Sequence, residues 1–394
     1  MTSLATLFEI TAAVLLAPTL VGTLYLALLT LAGSLPARRR AAGALPGRVA
    51  IVVPAHNEAA GIRRTIGNLL AIAGADGNAD VVVVADNCND DTAAVARAAG
   101  ARVLERHDAI RRGKGYALDH AFITLAGEDH VAYVVIDADS IATDSLLISL
   151  RRHFAGGCLA LQARYTVLNG DAAPRTRLAE IALAAFNVLR PRGRDRLGLS
   201  AGILGNGFAL RREVLDRIPY TATSVVEDLE YHLKLIAAGI RVGFADDTEI
   251  RGEMPTGEQG NRAQRARWEG GRLRMLAEHG PALAGKVLRG RLHFLEPLAD
   301  LLLPPLAYHV MLLLAVLALS APLMTPLSAI AIASLCIVIL HTVVAMRVAC
   351  LPWSRLWSLT RVPVYLLWKL RMLATTLTGA ARGSAWIRTD RTGS

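Results

Sequence analysis

Two long runs without a charged side chain constrain this chain more than any other feature. They cover residues 10–37 and 301–346. A helix rises about 1.5 Å per residue, so about 20 apolar residues cross a hydrocarbon layer about 30 Å thick. Ile10 to Ala32 meets that length and predicts a membrane-spanning helix. A signal peptide would carry basic residues ahead of its apolar core. Here the first nine residues hold none and include Glu9, whereas Arg38, Arg39 and Arg40 follow the run. Positive residues stay cytoplasmic. Residues 1–37 therefore read as a retained anchor with its N-terminus outside, and the chain enters the cytoplasm at Arg38.

Pro322 and Pro326 interrupt the second run, so residues 300–347 read as two spans, about 301–321 and 327–346. Residues 281–299 mix Lys286, Arg289 and Arg291 with Val287, Leu288, Leu292, Phe294 and Leu295. That mixture suits a helix lying among lipid headgroups. In residues 352–394 an apolar stretch from Trp353 to Leu377 contains Arg355, Arg361, Lys369 and Arg371. A crossing there would bury those charges and carry Arg382, Arg388 and Arg391 outside. An interfacial helix with a basic cytoplasmic tail avoids both costs.

Residues 45–280 read as one α/β unit. Val49–Val53, Val81–Val84 and Val131–Ile136 are short buried strands, each closed by polar turn residues and followed by helical spacing, such as Ile62, Ile66, Leu69 and Leu70. Thr143 is placed to cap the helix carrying Leu146, Leu147, Leu150 and Phe154. Alternation of this kind predicts a mostly parallel sheet covered on both faces, with ligands beyond the carboxyl ends of its strands. The net charge is +10, with 5% aromatic residues and no long Lys/Arg block, which favours anionic lipid or a phosphate-bearing substrate and argues against nucleic acid. Cys88, Cys158, Cys336 and Cys350 form no Cys-x-x-Cys pair and read as reduced structural thiols.

The polar residues gather at the predicted strand ends. Asp137-Ala138-Asp139 closes the third strand, where hard oxygens suit Mg²⁺ or Mn²⁺. Asp86 closes the second, and Pro54, His56 and Glu58 follow the first, so two adjacent turns can wall one nucleotide pocket. Arg111-Arg112-Gly113-Lys114-Gly115 offers cations and close backbone approach, without P-loop spacing. Glu227-Asp228 opens a helix, where carboxylates are commonly caps, although a base in a cleft would look the same in sequence. Gln264, Arg267 and Trp268 share one helical side.

In this order the pieces resemble family 2 glycosyltransferases, the inverting group that includes cellulose, chitin, hyaluronan and poly-N-acetylglucosamine synthases. The pattern of an aspartate, Asp-x-Asp, Thr-Glu-Asp and Gln-x-x-Arg-Trp reads here as Asp86, Asp137-Ala-Asp139, Val226-Glu227-Asp228 and Gln264-Arg-Ala-Arg267-Trp268. The segments Val-Val-Pro54-Ala-His56-Asn-Glu58, Gly113-Lys-Gly and Gly205-Asn-Gly-Phe-Ala-Leu-Arg also fit. Val226 stands where threonine is usual, and the spans are fewer than in the large synthases.

The resemblance implies a nucleotide-sugar-binding domain of GT-A type with flanking transmembrane and interfacial helices, in a bacterial inner (plasma) membrane with the catalytic domain cytoplasmic. It implies that Asp86 and Asp137 hold the uridine moiety of a UDP-sugar and that Asp139 holds the metal. Lys114 would lie near the diphosphate, and Asp228 would be the general base. Gln264, Arg267 and Trp268 would border diphosphate and acceptor, with Glu227 also on the acceptor side. The implied reaction is transfer to a saccharide acceptor in polysaccharide biosynthesis, with an export partner or homo-oligomer open. Single transfer to a lipid or polyprenyl-linked acceptor is the alternative. A catalytically decayed membrane scaffold is the non-enzyme alternative. A dehydrogenase lacks support, since no Gly-x-Gly-x-x-Gly follows the first strand.

Overall fold

The computed structural model describes residues 2–36, 43–222 and 224–382, without side chains for residues 2–3 and 374–382. The cluster Arg38–Arg40 and the tail residues Arg388 and Arg391 lie outside the described residues. The chain opens with α1 (Thr2–Ser34). Then come β1 (Arg48–Ala55), α2 (Ile62–Asp76), β2 (Ala79–Asp86), α3 (Thr92–Ala98), β3 (Arg102–Arg106), α4 (Lys114–Leu125), β4 (His130–Val135), β5 (Ser140–Ala142), α5 (Leu146–Ala155) and β6 (Ala160–Val167). After α6 (Pro174–Leu183), a π-helical stretch Ala184–Leu189 leads into α7 (Arg190–Arg196). β7 (Phe208–Arg211), α8 (Arg212–Arg217), α9 (Glu227–Ala237) and β8 (Val242–Gly252) complete the sheet domain. Among the described residues five α-helices follow: α10 (Glu258–Leu288), α11 (Leu295–Leu302), α12 (Leu306–Ser320), α13 (Pro326–Val348) and α14 (Val362–Arg382).

The eight strands form one sheet in the order β3-β2-β1-β4-β7-β6-β8-β5. Four pairings are parallel and three antiparallel, so the expected mostly parallel α/β sheet is observed. Ile51 and Val53 of β1 face one side and pack with Ile62, Ile66 and Leu69 of α2. Ala50 and Val52 face the other and pack with Leu118 and Phe122 of α4. Alternate side chains of a strand point to opposite faces, so covering both faces requires an unbroken apolar strand. Each fully buried Val, Ile or Leu contributes about 1.5–3 kcal/mol of transfer free energy.

Two expectations need correcting. Thr143 does not cap α5: Ser145 holds the N-cap position, and neither side chain caps. The Thr143 hydroxyl instead meets Thr248 Oγ1 (3.0 Å) and Glu249 O (3.3 Å), tying the turn to β8. Residues 281–299 are not one helix. Their first part is the end of α10, and their second lies in a 3-10 turn (Leu292–Phe294) and α11.

Among the described residues three helices are long and apolar enough to cross a membrane: Leu4–Ser34, Leu306–Leu323 and Pro326–Val348. α1 packs against α12 and α13. Inside that bundle Thr23 Oγ1 meets His309 Nε2 (3.0 Å) and Thr30 Oγ1 meets His341 Nδ1 (2.7 Å), so both histidines of the apolar run have partners.

Candidate active site

The site forms where β1, β2 and β4 end. β1 and β2 run parallel with Ala55 opposite Ala85, which sets their two polar turns side by side. His56 Nδ1–H donates to the Asp86 carbonyl (2.7 Å), and the Glu58 amide donates to Thr92 Oγ1 (2.8 Å). Pro54 lies at the end of β1 opposite Val84. The two turns are thus bonded to each other.

Asp86 is buried at 2% exposure. Its Oδ1 accepts from Arg106 Nη1 (2.6 Å) and Asn87 Nδ2 (3.1 Å). Its Oδ2 is buried and has no hydrogen-bond partner among the described residues. Buried polar atoms are seldom left unpaired, so this oxygen is set for a donor from a ligand. Arg106 also lies over the ring of Tyr116 on α4 (5.7 Å).

Lys114 begins α4 after Gly113, and its ammonium reaches Asp137 Oδ1 at the end of β4. It also donates to the Gly205 carbonyl (2.7 Å). The neighbouring Gly115 admits no side chain, because a Cβ there would lie 2.1 Å from the Ala222 carbonyl oxygen. Asn206 joins the two aspartates of Asp137-Ala-Asp139: its Oδ1 accepts from the Asp137 amide (3.1 Å) and its Nδ2 donates to Ser140 Oγ (2.8 Å). That hydroxyl in turn donates to Asp139 Oδ1 (3.0 Å).

α9 delivers Glu227 and Asp228 to the same place. A Cβ on Gly205 would sit 3.1 Å from Asp228 Oδ2, and Asp228 Oδ1 accepts from the Leu229 amide (2.8 Å). Glu227 is buried beside Gly115, and Asp228 is half-buried. Burial and the Asp228 charge push Glu227 well above the ordinary carboxylate range, against the pull of Lys114. Burial also raises Asp228, opposed by the Leu229 N–H and by Lys114. Burial works against the charge on Lys114, but Asp137, Glu227 and Asp228 outweigh it and hold the ammonium above its usual value. The result is a half-buried carboxylate with raised proton affinity, facing a cation.

α10 crosses over the turn before α9: a Cβ on Gly271 would lie 2.5 Å from Val226 Cγ1. Val226 therefore packs against α10, and it makes no side-chain cap. Gln264 and Trp268 line one groove with Arg175, Thr176, Met254 and Pro255. Arg267 is half-buried and lies outside that lining. The sequence flagged Gly205-Asn206-Gly207 only as a family-like segment, so the bridging role of Asn206 was missed. Arg106 ends a short strand and Gln162 sits inside one, with no pattern to distinguish either from an ordinary polar residue.

A profile of the family described as Glycosyltransferase like family 2 matches residues 46–271, more than half of the chain. The chain belongs to that family. For this family 2-like chain, Probable glycosyltransferase YdaM of Bacillus subtilis (strain 168) is a relative, 25% identical over 212 residues. The match takes in 50% of this chain and 48% of that protein, so the chain spans about half the length of the curated relative. The mannosyltransferase PcManGT from Pyrobaculum calidifontis, solved in complex with GDP-Man and Mn²⁺, aligns with a TM-score of 0.56 at 19% identity. That alignment covers 92% of this chain and 99% of the other, and the shared fold is the GT-A type expected.

Proposed function

We propose that this chain is a membrane-bound inverting glycosyltransferase that moves a sugar from a UDP-sugar to a saccharide acceptor in polysaccharide biosynthesis. The observation that carries the reading is the meeting of Asp137, Glu227 and Asp228 around Lys114 at the Gly205 turn. Asp228 is the base: it takes the proton as the acceptor hydroxyl attacks the anomeric carbon from the face opposite the leaving group. The new C–O bond forms as the anomeric C–O bond to phosphate breaks, and that electron pair departs with the nucleoside diphosphate. Raised proton affinity suits Asp228 to this task, because a base works best with its pKa near the working pH. Asp86 Oδ2 accepts from the nucleoside, Pro54, His56 and Glu58 wall its pocket, and Lys114 neutralises charge gathering on the diphosphate. Gln264, Arg267 and Trp268 border the diphosphate and acceptor, with Glu227 behind the acceptor.

Mg²⁺ or Mn²⁺ fits beside Asp139. Magnesium is commonly held by one or two carboxylates plus substrate phosphates, and Asp137 and Asp139 lie two residues apart at one strand end. When bound, the ion would stabilise the negative charge of the departing diphosphate. Turnover should vanish with a chelator and return with Mn²⁺ or Mg²⁺; full turnover in the chelator refutes the metal assignment. For topology the reading keeps the positive residues, and with them the catalytic domain, on the cytoplasmic side of a bacterial inner membrane.

One observation favours a second reading, single transfer to a lipid or polyprenyl-linked acceptor. α12 and α14 enclose a groove of about 520 Å³ lined by Met311, Leu314, Ala315, Leu366, Leu367 and Leu370, all apolar. Purified protein in lipid vesicles, given radiolabelled UDP- and GDP-sugars in turn, separates the two. A ladder of lengths supports polymer extension, one organic-extractable product supports the lipid acceptor, and no turnover of any donor refutes both.

A further inference from the structure

The loop 200–207, between α7 and β7, holds the Gly205 carbonyl against Lys114 and lies beside Asp228. Its inner end is fixed to the sheet: Ala201 N–H donates to Val242 O (2.8 Å), Leu204 N–H to Gln162 Oε1 (2.9 Å), and Gln162 Nε2 to the Asn206 carbonyl (2.7 Å). Two side chains hold its start as well: the Ser200 hydroxyl accepts from the Val242 N–H (3.0 Å) and meets His232 Nε2 (2.8 Å), and Arg194 adds a tie from outside the sheet. Arg194 Nη1 on α7 donates to the Ala201 carbonyl (3.2 Å), and the same guanidinium would be 3.5 Å from a Cβ on Gly202.

The other faces of that guanidinium reach two further elements, α1 and α11. Arg194 Nε lies 3.1 Å from Tyr25 Oη of α1 and 2.6 Å from Glu296 Oε1 of α11. Its Nη2 pairs with Asp300 of α11. Tyr25 O–H closes the triangle by donating to Glu296 Oε1 (2.8 Å). Asp300 also pairs with Arg190 of α7 and, through Oδ2, with Arg272 of α10 (3.0 Å), one turn beyond Trp268. Arg194 is 5% exposed, Glu296 8%. A planar fork with several fixed donors can tie separate elements in one geometry, which a lysine cannot do.

We infer that Arg194 is a positioning residue that fixes the 201–207 loop to the membrane helix α1 and so sets where Gly205, Lys114 and Asp228 stand relative to one another. This rests on Asp228 being the base, and it goes further by placing the control of that base in the membrane anchor.

The full chain in lipid nanodiscs is compared as wild type, Arg194→Lys, Tyr25→Phe and the double variant. Nucleoside diphosphate titration counts the competent donor sites, and turnover is expressed per site. Arg194→Lys should bind UDP with a Kd within a factor of about three, yet lose roughly tenfold to a hundredfold in turnover per site, as expected for a displaced base. Tyr25→Phe should show a smaller loss in the same direction, and the two should be non-additive. A merely structural role predicts fewer sites with unchanged turnover per site, and that result overturns the inference. Should Arg194→Lys fail to fold, Tyr25→Phe and Glu296→Gln decide on the same readout. Asp228→Asn is run beside them: if it turns over donor normally, the assignment of the base fails, whatever Arg194 does.

Discussion

A carboxylate in open water holds its proton too weakly to serve as a base near neutral pH. At Asp228 burial raises the proton affinity, opposed by the Leu229 N–H and by Lys114. With Asp228 as the proposed base, transfer requires its ionised form, so the acid limb of the kcat profile should lie above the ordinary carboxylate range. A limb near the value of a free aspartate contradicts the assignment. Glu227 gives a stability signature with its own sign. The folded chain keeps a proton on it that the unfolded chain has lost, so its contribution is full below the ordinary value of 4.5 and is lost as pH rises towards about 8. Glu227→Gln should flatten the fall of Tm across that window, and an unchanged slope refutes it. Asp86→Asn should weaken donor binding about tenfold, the effect of one lost charge-assisted hydrogen bond; isothermal titration with UDP checks this. The acidic residues were legible in the sequence because carboxylates at the ends of apolar strands stand out. Asn206, Arg106 and Arg194 were not, because what distinguishes them is a partner far along the chain.

At the scale of elements, the apolar runs were legible and their docking was not. α1 is apolar on every side, so no period marks the face that packs. The structure marks it with glycines: a Cβ on Gly193 of α7 would lie 2.5 Å from Leu29 O of α1. Gly193→Ala should therefore cost about 1–3 kcal/mol by overpacking. Gly285→Ala in α10, with open space around it, should be neutral or stabilising by about 0.4–1 kcal/mol. Thermal unfolding in one detergent compares the two, and equal shifts would contradict the docking of α1 on α7. The split of residues 281–299 had a readable signal in Gly290, which follows the end of α10 as helix stops commonly do. Lys369 argued against a crossing because its charge would be buried; in the structure it is buried, but paired with Glu269 of α10 and set among Tyr308, Tyr365 and Trp368. A buried charge needs a partner, and the partner lay a hundred residues away.

Taken whole, the molecule joins a transferase sheet to a bundle of apolar helices, with a buried cluster of arginines and carboxylates at the junction of α1, α7, α10 and α11. The sheet order, with antiparallel β7 between β4 and β6 and antiparallel β5 at the edge, escaped the sequence because short strands such as Ser140–Ala142 carry too few residues for a period. On the proposed reading the inward-facing carboxylates carry the chemistry and the positive residues beside the spans set the orientation. The most direct test is donor turnover by Asp228→Asn beside wild type, with UDP binding measured on the same samples. The account predicts that binding survives while turnover falls about 10²–10⁴-fold, the usual contribution of a general base. Undiminished turnover with intact binding would contradict it.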